Sequence, residues 1–353
     1  MKRVRLLLTC ILAVVLVTTA FISGCGKKET PKAEGPKKVK VGLVFDVGGR
    51  GDKSFNDAAY TGLEKAMKDF GDKIEVKYLE PAAGGENREQ LVRLLAQEKY
   101  DVIIGVGFIF TDTITKVAKD FPQTKFGLID GYVPDLKENN NISCLLFKDQ
   151  EGSFLVGAAA ALQSKSGKVG FVGGMQIPTI EKFEAGYMAG AKYVNPKIEV
   201  MSDYIGTTGD AFKDPVKGKE LTLKQIKDGA DVVYHASGAS GIGVLEAAAT
   251  QQRFAIGVDS DQSLTATDAQ RPYVLTSMLK RVDTAVYDTI KNVLESNFKG
   301  GYREFGVKDS GVGYAENEYN KTMISTMKPK LEEIKAKIIS GEIKVPATKK
   351  DVK

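Results

Sequence analysis

The chain is poor in the residues on which much enzyme chemistry depends: one histidine, three cysteines and no tryptophan in 353 residues. A single histidine excludes any mechanism or metal site that needs two, and three cysteines exclude a four-thiolate zinc site. So few thiols in so long a chain also do not make a disulfide framework. Charge of one sign is scarce as well, with 50 Lys+Arg against 45 Asp+Glu and a formal net charge of +5. What remains is an ordinary globular composition, 42% hydrophobic and 27% charged, long enough for two domains that each bury a core.

The small positive excess is confined to one end. Lys2, Arg3 and Arg5 stand without an acid in residues 1–25, and six lysines face Glu29 and Glu34 in residues 26–40. Those two stretches hold +3 and +4 of the +5, leaving about −2 for residues 41–353. The body is therefore not basic, and a nucleic-acid partner loses its main support.

Residues 2–5 followed by the apolar run Leu6–Ile22 have the layout of a secretory signal. The run is shorter than the ~20 residues a membrane span needs. Ile22-Ser23-Gly24-Cys25 resembles a bacterial lipobox. It implies a signal peptide at 1–24, cleavage before Cys25, lipid on the Cys25 thiol, and attachment to the outer side of the bacterial cell membrane. Residues 25–38, rich in Lys, Pro and Gly, have no apolar period and are expected to be an extended tether. Cys10 would leave with the signal. Cys144, inside the apolar run Ile142–Phe147, is expected to be a buried small hydrophobe rather than a nucleophile.

From Val39 onward short β-branched runs alternate with longer amphipathic segments. Strands are expected at 39–45, 74–80, 102–107, 125–129 and 142–147, with helices near 54–70, 86–98 and 111–120. A second series places strands at 168–173, 199–205, 231–236, 254–258 and 274–279. Its helices lie near 150–163, 180–194, 217–228, 240–250 and 281–297. Two successive βα series predict a two-lobed α/β architecture with parallel sheets and a hinge near 147–150. In such sheets ligands bind beyond the carboxyl ends of the strands. Asp46, Asp130, Gly238, Asp259 and Lys280 all stand at such ends.

Several motifs fall short of a catalytic function. Gly48-Gly-Arg-Gly-Asp52-Lys53-Ser54 has Asp52 where a phosphate-binding loop needs glycine, and Asp52 would repel phosphate. The run from Gly238 to Gly243 matches neither the dinucleotide glycine order nor a nucleophile elbow. His235 is expected to be structural at its strand end. The strand-end aspartates lie on separate strands beside Lys280, which argues against a metal site. No cofactor is expected.

The same residues resemble a family. Val41–Asp46, Asp52-Lys-Ser-Phe-Asn56, Phe126–Asp130, Gln150–Gly157, Phe183–Gly190, Ile256–Asp259 and Leu275–Lys280 are similar, in unbroken order, to the basic membrane protein family. These are substrate-binding lipoproteins of ABC importers, akin to purine-nucleoside receptors. The resemblance implies a type I periplasmic-binding-protein fold: two Rossmann-like lobes with parallel sheets joined by a three-segment hinge. The lobes are expected at 39–147 plus 280–300 and at 148–279 plus 301–353. It implies a nucleoside ligand and ABC permease and ATPase partners, with no enzymatic activity. Asp46 and Asn56 would read the purine edge, although Asn56 also suits a helix cap. Phe55 and Phe183 would contact the base from opposite lobes, with Phe108 nearby. Asp130, Gly238, Asp259 and Lys280 would hold the ribose, Lys280 also balancing Asp259. The turn after strand 199–205 departs from the family pattern, being longer before Asp214-Pro215, so no contact is assigned there. A receptor for a sugar, a nucleoside-processing enzyme, and a surface adhesin or signalling protein are the alternatives.

Overall fold

In the computed structural model, residues 38–82 and 85–352 are described; the expected signal peptide, Cys25 and most of the tether lie outside them. The described residues open with β1 (Val39–Val44), α1 (Phe55–Phe70), β2 (Ile74–Leu79) and α2 (Arg88–Gln97). It continues with β3 (Val102–Gly105), α3 (Thr111–Asp120), β4 (Lys125–Ile129) and β5 (Ile142–Phe147). The second series runs α4 (Asp149–Gln163), β6 (Lys168–Met175), α5 (Pro178–Val194), β7 (Glu199–Gly206) and α6 (Pro215–Lys227). After it come β8 (Val232–Ala236), α7 (Gly241–Thr250), β9 (Phe254–Asp259) and β10 (Val274–Lys280). The chain ends with α8 (Val282–Leu294), β11 (Gly301–Phe305), β12 (Val312–Tyr314) and α9 (Lys321–Ser340). Among the described residues no helix is long and apolar enough to cross a membrane.

Two six-stranded sheets result, ordered β11-β5-β4-β3-β1-β2 and β12-β10-β9-β8-β6-β7. All neighbours are parallel except β12, which runs antiparallel to β10. The central strands are buried throughout, as in β3 and β8, because helices cover both faces. Cys144 in β5 is fully buried and free, and burial pushes its thiol pKa up, which suits a structural role.

Three short segments separate the lobes: Lys148 between β5 and α4, Arg281 between β10 and α8, and residues 306–311 between β11 and β12. They are tied together. The Lys148 N–H donates to the Phe305 carbonyl at 2.9 Å, the Arg281 N–H to Gly311 at 2.9 Å, and the Gly311 N–H to Gly306 at 2.8 Å. This is the type I periplasmic-binding-protein arrangement, with the expected lobe limits corrected at two places. Lys280 ends β10 in the second sheet, and residues 301–305 form β11 at the edge of the first. An edge strand that exposes Tyr302 and Glu304 has too little apolar periodicity to announce itself. Helix α9 was not expected either; Pro329 interrupts its pattern, although Ile324, Met327, Leu331, Ile334 and Ile338 bury one face.

Glycines let helices approach closely where the lobes are built. A Cβ on Gly157 would fall 2.1 Å from the Tyr187 carbonyl oxygen, and one on Gly190 would fall 2.0 Å from that of Phe154. Helices α4 and α5 therefore pack backbone against backbone. That packing accounts for the spaced glycines in both segments and fixes the side of α5 that carries Phe183.

Candidate functional site

A cleft with about 600 Å³ of empty volume lies between the lobes, at the carboxyl ends of the strands. All nine residues singled out from the sequence line it: Asp46, Phe55, Asn56, Phe108, Asp130, Phe183, Gly238, Asp259 and Lys280. The β–turn–α construction explains why. Asp46, Asp130, Gly238, Asp259 and Lys280 stand at strand ends, while Phe55 and Asn56 open α1 beside β1. Phe108 starts a short 3-10 turn after β3, and Phe183 reaches in from α5.

Asp130 and Asp259 both adopt left-handed backbone conformations, with φ of 60° and 63°. Side chains rarely accept that region, and such residues gather at functional sites. Each aspartate closes the fourth strand from the β2 or β7 edge of its own sheet, β3 or β8 lying between it and the strand that opens the series. Each is also held by the opposite lobe. Lys280 Nζ donates to Asp130 Oδ2 at 2.6 Å, and Ser54 Oγ donates to Asp259 Oδ2 at 2.5 Å.

Lys280 is 2% exposed. Its Nζ also stands 3.0 Å from Asp149 Oδ1, an ion pair without hydrogen-bond alignment. Asp149 opens α4 directly after the first crossing. The direct partners of Lys280 are thus Asp130 and Asp149, while Asp259, which the sequence reading had it balance, acts on it through charge alone. Burial opposes the ammonium charge, but the three carboxylates outweigh it and raise the Lys280 pKa. The same Nζ lies 5.4 Å from the centroid of Phe55, 4.9 Å from Phe147 and 5.2 Å from Phe183, within cation–π range.

The far end of the cleft is organised around Asp46. Its Oδ1 accepts the Val47 N–H at 2.6 Å, and its own N–H donates to Asn56 Oδ1 at 2.9 Å. Gly107, at φ 104°, makes room for the carboxylate, since a Cβ there would fall 2.0 Å from Asp46 Oδ2. Burial pushes Asp46 up to about 7 against the Val47 hydrogen bond and the Arg88 charge. The helix-cap alternative for Asn56 is corrected. Asp52 caps α1, accepting from the N–H groups of Ser54, Asn56 and Asp57 and from Asn56 Nδ2. Asn56 instead couples that cap to Asp46. Burial likewise raises Asp52, to about 6, and Asp259, to about 7 despite Lys280 and Ser54.

Sequence reasoning missed Asp149, Gly107 and Phe212. Phe212 lines the cleft from the turn Gly209–Phe212, in the loop to which no contact was assigned. The signal was present in Phe212-Lys-Asp214-Pro215, whose last two residues cap and start α6: Asp214 accepts the Lys217 N–H at 2.9 Å. The cleft thus gathers two phenylalanines from each lobe, Phe55 and Phe108 with Phe183 and Phe212. Four carboxylates and one ammonium share it. It suits a planar apolar group joined to a part rich in hydroxyls, and it disfavours an anion.

Two lobes built on largely parallel sheets, three crossings and a polar–aromatic cleft between them are the architecture of a solute-binding protein. The chain belongs to the Bmp family, whose model, described as "ABC transporter substrate-binding protein PnrA-like", matches residues 38–349. It is 34% identical over 359 residues to the CD4+ T-cell-stimulating antigen of Listeria monocytogenes, covering 95% of this chain and 97% of that protein. Basic membrane protein A of Borreliella burgdorferi is 33% identical over 343 residues, covering 96% of both. An uncharacterised lipoprotein of Pyrococcus furiosus is 37% identical over 318 residues, covering 85% of this chain and 75% of that one. Among solved structures, an ABC-transporter solute-binding protein from Aeropyrum pernix K1 superposes with a TM-score of 0.78 at 31% identity, covering 87% of this chain and 94% of that one. An arabinose-binding protein from Geobacillus stearothermophilus, at 13% identity and a TM-score of 0.60 over 82% of this chain and 99% of that one, shares the fold.

Proposed function

We propose that the cleft captures a nucleoside, with purine nucleosides preferred, and that the protein hands it unaltered to an ABC permease and its ATPase. The observation that carries this reading is the meeting of two phenylalanines from each lobe with the Asp130–Lys280–Asp259 group in one cleft. Aromatic faces stack on any base, at about 1–3 kcal/mol each. Carboxylates accept from vicinal hydroxyls, and Lys280, hydrogen-bonded to Asp130 alone, has N–H groups left to donate. Asp46 would meet the polar edge of the base, placed by Asn56. A 5′-phosphate would face several carboxylates, so nucleosides bind and nucleotides do not. Ligand contacts with both lobes favour the closed form by differential affinity.

Calorimetry with adenosine, guanosine, inosine, uridine and ribose tests the ligand class. Binding of purine nucleosides with little response to ribose is expected. Binding of ribose without any nucleoside would overturn the nucleoside reading, and chromatographic appearance of free base would overturn the non-enzymatic one. We also propose that the protein is held outside the cell membrane by lipid on Cys25, which the name "lipoprotein" of the Pyrococcus relative supports. Replacing Cys25 by Ala should release the chain from the membrane fraction; retention there would refute the anchor.

A further inference from the structure

The lobes are joined at a second place, beside the cleft and not part of its lining. Lys53 and Ser54, between β1 and α1, meet the loop that follows β9. Gln262 Nε2 donates to the Lys53 carbonyl at 3.2 Å, Ser260 Oγ to the Ser54 carbonyl at 3.3 Å, and Lys53 Nζ to the Thr265 carbonyl at 3.3 Å. Lys53 takes a left-handed conformation, φ 55°, to make these contacts.

Gln262 is 1% exposed and leaves nothing to chance in its orientation. Its Oε1 accepts the Val258 N–H at 3.0 Å, and its own N–H donates to Ser277 Oγ at 3.0 Å. A backbone nitrogen can only donate, so the oxygen must face Val258 and the amide nitrogen must face Lys53. That oxygen also lies 2.8 Å from His235 Nε2. His235 therefore carries its proton on Nε2, and its Nδ1 accepts from Ser237 Oγ at 3.2 Å. The ring is fully buried, and Gly241 makes space for it, since a Cβ there would fall 1.8 Å from His235 Cε1. The chain's one histidine thus aims the Gln262 amide at the other lobe.

We propose that Gln262, positioned by His235, is a latch that sets the closing equilibrium of the two lobes. It strengthens binding of every cleft ligand by the same factor while touching none of them. The proposal rests on the cleft being the ligand site, though not on the identity of the ligand. Apparent affinity scales with the fraction of protein able to close, and one neutral hydrogen bond shifts that by about two- to tenfold. Gln262→Glu keeps the acceptor for Val258 and His235 but turns an oxygen toward the Lys53 carbonyl.

The test combines small-angle scattering of the ligand-free full chain with nucleoside binding kinetics. Gln262→Glu should enlarge the ligand-free radius of gyration and speed dissociation about tenfold, equally for adenosine, guanosine and inosine, with little change in association. His235→Leu should follow it, and His235→Gln, which keeps a donor toward Gln262, should recover most of the loss. The double variant Lys53→Ala/Ser260→Ala, on half-buried residues, should weaken binding about threefold in the same direction and decides the matter if the buried variants fail to fold. An unchanged radius with unchanged dissociation overturns the latch, as does a loss that differs between nucleosides. If wild-type protein binds no nucleoside, the proposed ligand fails, but scattering alone still decides the latch: an unchanged radius refutes it.

Discussion

Asp130 and Asp259 occupy corresponding strand ends in the two lobes, with nearly the same left-handed backbone, yet their partners differ in kind. Asp130 meets the ammonium of Lys280, whereas Asp259 meets the Ser54 hydroxyl and feels Lys280 only at a distance. A duplicated fold can thus present one residue type twice and give it two electrostatic states. The Asp130 side of the cleft is an ion-pair cluster. The Asp259 side is a buried acid pushed up to about 7, poised between charge states near neutrality.

The strongest way to break this contrast is Lys280→Met. It leaves Asp130 and Asp149 buried without their cation, and breaking a buried pair costs about 3–5 kcal/mol. Urea unfolding at pH 7 should show that loss together with abolished ligand binding; a near-neutral result would mean the cluster is wetter than its burial implies.

The aspartates can next be compared directly. Asp130→Asn removes the hydrogen-bonded partner of Lys280 and should destabilise by about 3 kcal/mol at pH 7. Asp259→Asn should act oppositely. Because burial raises the folded pKa of Asp259 above its ordinary value, the folded state keeps a proton between pH 4 and 7 that the unfolded state has lost. The contribution of Asp259 to stability therefore falls as pH rises through that window, by up to about 4 kcal/mol at complete ionisation. The amide variant escapes this: it should match wild type near pH 4 and exceed it above pH 7. Parallel curves for wild type and Asp259→Asn would remove the distinction between the two lobes.

His235 sharpens the comparison with the reverse sign. Burial lowers its pKa from 6.5 to about 4, so on acidification the unfolded chain takes up a proton that the folded chain refuses. Stability contributed by neutral His235 is complete above pH 6.5 and lost as pH falls toward 4, up to about 3 kcal/mol. In His235→Gln that acid slope should be shallower in thermal unfolding; an unaltered slope would place the sensitive group elsewhere. The smallest effect concerns the aromatic lining. Phe183→Ala and Phe212→Ala should each weaken nucleosides about tenfold in calorimetry, within the range of one stacking contact. If Phe212→Ala leaves affinity intact, its turn merely covers the cleft.

Much of this was legible in the linear order. The β-branched runs marked the ten strands of the two βα series to within about two residues, because buried parallel strands must be apolar on both faces. The strand-end aspartates and Lys280 were legible because topology alone places strand ends at one edge. Phe212 and Asp149 were not. Phe212 depends on how an irregular loop turns back over the cleft, and Asp149 gains its role only when the first crossing brings α4 beside β10. Strand β11 was assigned to the wrong lobe because one half-exposed edge strand carries no signal of which sheet will pair with it.

The residues by themselves determined the alternating β and α elements, the close-packing glycines and the types of side chain at the strand ends, since these follow from local periodicity and backbone sterics. Which carboxylate would pair with Lys280, which would meet a hydroxyl, and how the one histidine would aim a glutamine were decided only by the tertiary structure. Those outcomes depend on burial and on distances between groups up to 209 positions apart, as for Lys53 and Gln262, and no local pattern encodes either.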